Sequence, residues 1–430
     1  MQKTDKVSII WFRRDLRLED NKALFFAQQS GFPVLPIFIF DNNIILELDA
    51  NDGRISFIYN NLKAIHSTLA DYNSALYCLK GKPIEVWKQL INEFEIASVF
   101  ANKDYEPYAI QRDKEIGELL SQNNIPLNLY KDQVIFEENE VLKSNNEPYT
   151  VFTPYKNCWL SEFINADLKD YSNAKKSNFF KFRKDLPSLN SLSFKYSDIQ
   201  IKPYNIDKLN DYELYRNIPS VDGTSNLSPH LRFGTISIRR IVNKVKHNEP
   251  FLNELIWREF FMQILFHFPK VINKNFKSKY DNILWRNNKE EFDKWCIGAT
   301  GYPIVDAGMR ELNATGYMHN RVRMITAGFL CKHLLIDWRW GETYFAKKLL
   351  DFELSSNNGN WQWAAGTGCD SAPYFRIFNP SEQLKKFDKQ LIYINKWIPE
   401  LNSHEYPLPM VEHDFARKRA LERYKEGLKI

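Results

Sequence analysis

Short apolar runs alternate with amphipathic stretches through the first 130 residues. Strand patterns fall at Val7–Phe12, Val34–Phe40, Ala75–Leu79, Ser98–Asn102 and Leu127–Tyr130. Apolar residues at three- and four-residue spacing fill the gaps, notably over Phe57–Leu69, Ile84–Phe94 and Tyr108–Leu120. Strands alternating with helices predict a parallel, doubly wound α/β sheet with helices on both faces. After the first strand stands WFRRDLRLEDN rather than GxGxxG. The fingerprint of a nicotinamide dehydrogenase is therefore missing.

Residues 131–195 are rich in Asn, Ser and Lys and carry little period, so they read as an inter-domain connection. From 196 to 430 the pattern is mostly helical, over Ile236–Val245, Leu252–Phe268, Pro303–Asn313, Arg321–Leu335 and Gly341–Leu350. This predicts a larger all-α domain behind the α/β domain of residues 1–130. No internal repeat is visible. The run DFELSSNNGNWQWAAGTGCDSAPYFRIFNP (351–380) fits neither period. Gly359 and Gly366 would weaken a long amphipathic helix there. Amides, indoles and small residues together suit a wall on which a flat aromatic molecule lies close to the backbone. A buried Trp cluster is the plainer alternative for the two indoles alone.

Composition adds three constraints. Aromatic residues make up 15% of the 430, which suits an extended aromatic ligand site. The net charge of +5 is uneven: residues 1–130 carry 14 Lys/Arg against 17 Asp/Glu, and the remainder carries 44 against 36. That basic excess in the C-terminal part is what a phosphate-binding face requires. The five cysteines form no CxxC pair, which argues against a zinc site or disulfide framework and fits a reducing cytoplasm. No secretory h-region and no run of about 18 apolar residues occurs, so a soluble intracellular protein is expected.

The 351–380 run closely resembles the flavin-binding signature of the DNA photolyase/cryptochrome family. WFRRDLRLEDN, GTSNLSPHLRFGTIS, NELIWREF, TGYPIVDAGMREL, TGYMHNRVRM and LLIDWRWGE follow the family's order. The resemblance covers nearly the whole chain. It implies FAD as cofactor, fully reduced and anionic in the active form, and DNA containing pyrimidine dimers as substrate. It also implies light-driven splitting of the dimer by electron transfer from the excited flavin.

Residue by residue, the resemblance places Thr224, Ser225, Asn226, Leu227 and Ser228 at the FAD phosphates, with Tyr212 and Arg258 as further contacts. Hydroxyls and N–H groups before a helical pattern make an anion site, although an ordinary N-cap reads the same way. Arg323 and Asp351 resemble an ion pair across the isoalloxazine ring, and Glu353 would accept from flavin or ribityl donors. Asn357 takes the position facing flavin N5, where plant cryptochromes carry Asp. Glu254, Trp257, Asn320, Met324 and Trp363 resemble the pocket for a flipped-out cyclobutane dimer. Arg216, Arg321 and Gln383 match positions that contact DNA near the lesion. Trp361, Trp338 and Trp295 match a series of indoles running in that order from flavin to surface.

Three departures narrow the reading. Met318-His319-Asn320-Arg321 carries one histidine where (6-4) photolyases carry a pair. Tyr108-Ala109 stands where folate-binding relatives have Asn-Glu, so a folate antenna is disfavoured, and a deazaflavin, a flavin or no antenna stay open. The chain stops at Ile430 without the long polar tail of many signalling cryptochromes. The expected enzyme is a cyclobutane pyrimidine dimer photolyase, monomeric, without a metal or protein partner, cytoplasmic and nucleoid-associated when on DNA. A blue-light signalling cryptochrome is the alternative, and a light-independent flavoprotein oxidoreductase the third.

Overall fold

The structure, a computed structural model, describes residues 6–166, 168–172 and 178–429. Parts of the 131–195 connection, at 167 and 173–177, and the terminal Ile430 lie outside the described residues. The chain forms two compact units, described separately below. The first comprises residues 1–140, 161–203 and 227–247, and the second residues 141–160, 204–226 and 248–430.

In the first unit, five strands form a parallel sheet in the order β3-β2-β1-β4-β5: β1 (Val7–Phe12), β2 (Val34–Asp41), β3 (Tyr77–Gly81), β4 (Ile96–Asn102) and β5 (Leu127–Tyr130). Its main helices within residues 1–130 are α1 (Lys22–Ala27), α2 (Gly53–Ala70), α3 (Pro83–Glu93) and α4 (Pro107–Gln122). Side chains alternate across a pleated strand, and the two cores follow that parity. Ile10, Phe12, Phe38 and Phe40 face one core, and Ile9, Trp11, Leu35, Ile37 and Ile39 face the other. Both faces are covered, as a parallel sheet requires.

WFRRDLRLEDN is spent on a buried ion network. Arg17 Nη2 reaches Asp132 Oδ2 at 2.7 Å, and Arg239 Nη2 reaches Asp132 Oδ1 at 2.8 Å and Asp20 Oδ1 at 2.9 Å. Buried charges are stable only when paired in this way. Arg239 lies on helix Ile238–Val245, within a segment whose helical period had placed it in the C-terminal domain. Its contacts place residues 227–247 in the first unit instead. Periodicity reports a helix but not the body it packs on.

The second unit is helical. Its main elements are α5 (Phe152–Phe163), α7 (Glu249–His267), α8 (Lys289–Ile297), α9 (Pro303–Thr315), α10 (Asn320–Gly328), α11 (Trp338–Lys348), α12 (Leu354–Ala365), α13 (Pro380–Phe387) and α14 (His413–Gly427); α6 is the first unit's helix Ile238–Val245. Its core gathers Trp295, Trp338, Trp361, Phe329, Phe345 and Ile394. Within the run that shows no clear period, Leu354–Ala365 is α12, a regular helix despite Gly359. A Cβ at 359 would overlap the ring of Phe261 on α7, so the glycine serves close helix approach rather than breaking the helix. Gly366, at φ 82°, ends α12 in the left-handed conformation of a C-cap. Helix α5 falls inside the stretch read as connection, where its Pro, Lys and Asn content hides the period.

Candidate active site of the helical unit

Three helices bring the candidate residues together. On α7, Glu254, Trp257, Arg258 and Phe261 follow the i, i+3, i+4, i+7 spacing that makes one stripe. On α12, Glu353, Asn357 and Trp361 stand four residues apart on the buried side, while Trp363, two positions on, points elsewhere and is half-buried. The two stripes are joined by Arg258 Nη2 on Glu353 Oε1 at 3.2 Å and by Phe261 against Gly359.

The third helix, α10, carries Asn320, Arg321, Arg323 and Met324. Its N-cap is His319, whose Nδ1 accepts the Arg321 amide at 3.2 Å. An accepting Nδ1 carries no proton, so the ring is neutral with its hydrogen on Nε2. Burial, with Arg323 and Arg321 nearby, pushes its pKa down to about 4. Arg323 Nη2 pairs with Asp351 Oδ2 at 3.0 Å while its Nε donates to Met318 O at 2.8 Å. Asn320 is exposed. Arg321 Nη1 contacts Met324 Sδ at 3.4 Å, Nη2 donates to Asn217 Oδ1 at 2.5 Å, and the guanidinium lies 4.7 Å from the Phe387 ring. Burial, then Arg216 and Arg376, lowers its pKa, so three guanidiniums share one neighbourhood.

Arg216 Nη2 pairs with Glu254 Oε1 at 2.5 Å. The Arg216 guanidinium also lies 5.1 Å from the ring of Tyr212, whose hydroxyl is held neutral by burial and by Glu254. Trp257 stacks on Phe152 of α5, centroids 3.7 Å apart and planes within 6°. Asn357 Nδ2 donates to both the backbone O and Oε1 of Glu342, at 3.1 and 3.0 Å. Gln383 is half-buried on α13. Thr224, Ser225 and Asn226 belong to this unit, with Ser225 O accepting from Asn205 N at 2.8 Å. Leu227 and Ser228 belong to the first unit, where Ser228 opens a helix of only five residues.

The indoles require a correction. Trp295, expected at the surface end of the series, is 0% exposed. Its ring lies edge-on to Trp361, centroids 6.2 Å apart, and its Nε1 donates to Thr326 O at 3.2 Å. Trp338 is also buried, its Nε1 donating to Asn275 Oδ1 at 2.9 Å. Trp295 therefore neighbours Trp361 directly, and Trp285 is a partly exposed indole packed on the same cluster. Burial depends on which helices cover α8, which sequence spacing does not report.

Residues 251–405 match the family pattern described as the FAD binding domain of DNA photolyase, and residues 8–173 that of DNA photolyase. A relative from Vibrio cholerae named deoxyribodipyrimidine photo-lyase is 35% identical, covering 97% of this chain and 99% of its own. One of the same name from Escherichia coli is 36% identical over 98% and 99%. The crystal structure of a bacterial class III photolyase from Agrobacterium tumefaciens superposes with a TM-score of 0.87 at 33% identity, covering 100% of this chain and 99% of that one. The chain belongs to the DNA photolyase family.

It is an enzyme of that family, with FAD as its cofactor. The photolyase site has a donor set that fits FAD. Arg258 and Arg323 offer donors to anionic or carbonyl groups, and Asp351 and Glu353 offer acceptors. The hydroxyl of Ser355, between Glu353 and Asn357 in sequence, is buried with no protein hydrogen-bond partner, as a ligand-completed site leaves it. A photolyase from Sulfolobus tokodaii, 33% identical with a TM-score of 0.86 over 97% of this chain and 99% of that one, is described as holding two FAD molecules, which implies a light-harvesting cofactor in that protein.

Four residues around the site escaped the sequence reading. Glu342 closes the LLIDWRWGE motif with no role of its own read from it, and Asn217, in the turn after helix Tyr212–Tyr215, carries no motif signal. Asn275 sits in a short Lys/Asn-rich stretch. Phe152 lies in the segment read as connection, and only its neighbour Tyr155 and Trp159 at helical spacing could have pointed to α5. Among the described residues no helix is long and apolar enough to cross a membrane.

Proposed function

We propose that this photolyase splits cyclobutane pyrimidine dimers in DNA under light, acting as a monomer in the cytoplasm. The observation that carries this reading is Arg216 on Glu254 at 2.5 Å. It puts a cation suited to a DNA phosphate beside a carboxylate suited to the polar edge of a flipped pyrimidine. FAD, when bound in its reduced anionic form, would supply light-driven electron-transfer chemistry to the dimer.

The chain's own residues do the rest. Arg258, Thr224, Ser225, Asn226 and Tyr212 hold the cofactor, and the Arg323–Asp351 pair and Glu353 orient it. Asn357 faces it with an amide, which cannot readily give up a proton as an acid would. Trp257 and Trp363 give the lesion apolar walls and exclude water, and Met324 fills the remaining space with a polarisable thioether. Glu254 hydrogen-bonds the pyrimidine carbonyl edge, a contact worth more once the dimer carries negative charge. Asn320 adds a polar contact at the exposed rim. Arg216, Arg321 and Gln383 fix the DNA backbone near the lesion. Trp361, with Trp295 edge-on to it and Trp338 in the same core, would carry electrons from outside toward an oxidised cofactor.

Dimer-containing oligothymidylate, incubated with reduced protein, should lose its dimers in light and keep them in darkness, as read by chromatography. Loss of no dimers in light, with FAD bound, would leave a light receptor as the reading of this site.

A further inference from the structure

The amide nitrogen of Asn357 gives both its hydrogens to one residue. Nδ2 donates to the backbone O of Glu342 at 3.1 Å and to its Oε1 at 3.0 Å. An asparagine amide has two N–H donors and one carbonyl. With both donors committed, the carbonyl Oδ1 is the group left to meet anything else. The two ends of an amide have nearly the same shape, so hydrogen bonds alone decide which end faces which way.

Helix α11 is built to reach this point. Gly341 precedes Glu342, and a Cβ there would overlap the ring of Trp361 and a methyl of Leu330. The missing side chain lets the α11 backbone touch α12 at the turn that carries Asn357 and Trp361. Glu342 forms no ion pair with any Lys, Arg or His of the described residues. Burial raises the pKa of its carboxyl and the Asn357 amide pulls it back, so the amide is its stabilising partner.

We infer that Glu342 is a positioning residue that locks the Asn357 amide so that Oδ1, not Nδ2, is presented to the flavin. This rests on the reading of Asn357 as the residue facing flavin N5. Flavin N5 bears a hydrogen when fully reduced and a bare lone pair when oxidised. An acceptor fixed opposite N5 therefore favours the reduced cofactor, the form the reaction needs. Without the Glu342 carboxylate only the backbone O holds Nδ2, and the amide turns more readily to offer Nδ2, which suits the oxidised form.

The test is a double-mutant cycle read on the midpoint potential of bound FAD. Glu342→Leu should lower the potential, because it removes the carboxylate acceptor and leaves the backbone O alone to hold Nδ2. Glu342→Gln should hold it near the wild-type value, because its carbonyl can still accept one N–H. In an Asn357→Ala background, Glu342→Leu should cause no further shift. The sign separates positioning from charge, since removing a carboxylate charge by itself would raise the potential. FAD retention should also fall, by about tenfold in Glu342→Leu, as a buried donor loses its partner. Glu342→Ala replaces Glu342→Leu if circular dichroism shows the latter misfolded. An unmoved or raised potential in Glu342→Leu, an equal shift in both backgrounds, or Glu342→Gln matching Glu342→Leu would overturn the inference. A wild-type protein that bound no FAD would overturn the flavin reading itself.

Discussion

Arg216 and Glu254 are held in one ion pair, Nη2 to Oε1 at 2.5 Å, with both side chains keeping part of their surface in solvent. Such a pair is worth about 0–1 kcal/mol, so a phosphate can displace the carboxylate. On the proposed function, this pair would couple DNA binding to release of the carboxylate toward the lesion.

Glu254→Gln should therefore tighten binding to damaged DNA, roughly up to fivefold, because Arg216 no longer has a competing anion. The same change should lower the repair yield per photon. Fluorescence anisotropy and a repair assay on one preparation measure both. Weaker DNA binding by Glu254→Gln would contradict the exchange.

Arg321 should make the simpler contribution. Its partners are neutral, Asn217 and the Phe387 ring, so nothing anionic has to be displaced. Arg321→Ala should weaken binding and flatten the salt dependence by about one unit of slope. Arg216→Ala should flatten it by less, since its charge is already partly used. Titrations at several salt concentrations separate the two.

Trp361→Phe should abolish or strongly slow photoreduction of oxidised FAD, since phenylalanine fills most of the space but is not oxidised under these conditions. Trp295→Phe should test the direct contact with Trp361, 6.2 Å between centroids, and should shorten the lifetime of the separated charge if the hole passes that way. Repair by chemically reduced enzyme should survive both changes. Flash absorption decides it: a normal rate in Trp361→Phe would exclude that indole.

Gly341→Ala should destabilise the fold by about 1–3 kcal/mol, because the new methyl must displace the Trp361 ring. Urea unfolding measures the loss. The tryptophan photochemistry should change in the same variant, whereas Gly117→Ala, whose new methyl would meet only Leu127 at an ordinary 3.6 Å, should leave it alone.

The His319 cap gives a pH dependence. Its folded pKa of about 4 lies below the ordinary value of 6.5, so the unfolded chain takes up the proton first. Stability should then fall as pH drops from about 6.5 through about 4, with nothing further lost below that window. His319→Asn keeps a capping acceptor without the proton and should remove this part of the slope. Urea midpoints at pH 7 and 5 check it.

Much of the fold was legible in the sequence because it rests on local signals. Val7–Phe12 and Leu127–Tyr130 are strands at the residues their apolar runs occupy, and the alternation of strand and helix fixes a parallel sheet. Helix period located α7, α9 and α11 to within a few residues; Arg321–Leu335 reads as one helix, whereas α10 ends at Gly328 and passes into the π-helical turn Phe329–His333. The order of the motifs also set the family and the cofactor.

Other features needed the tertiary structure, and for one reason: they depend on what packs against a residue rather than on its neighbours in sequence. Gly359 reads as a helix breaker until Phe261 is seen against it. Trp295 reads as the outer end of an indole series until its burial beside Trp361 is seen. Residues 227–247 read as part of the helical domain until Arg239 is found on Asp20 and Asp132. Glu342 stands at the end of LLIDWRWGE with no role read from it, and its hydrogen bonds to Asn357 give it one. The sequence determined the elements, the family and the candidate residues; the packing of helices with no sequence proximity decided which of those residues touch.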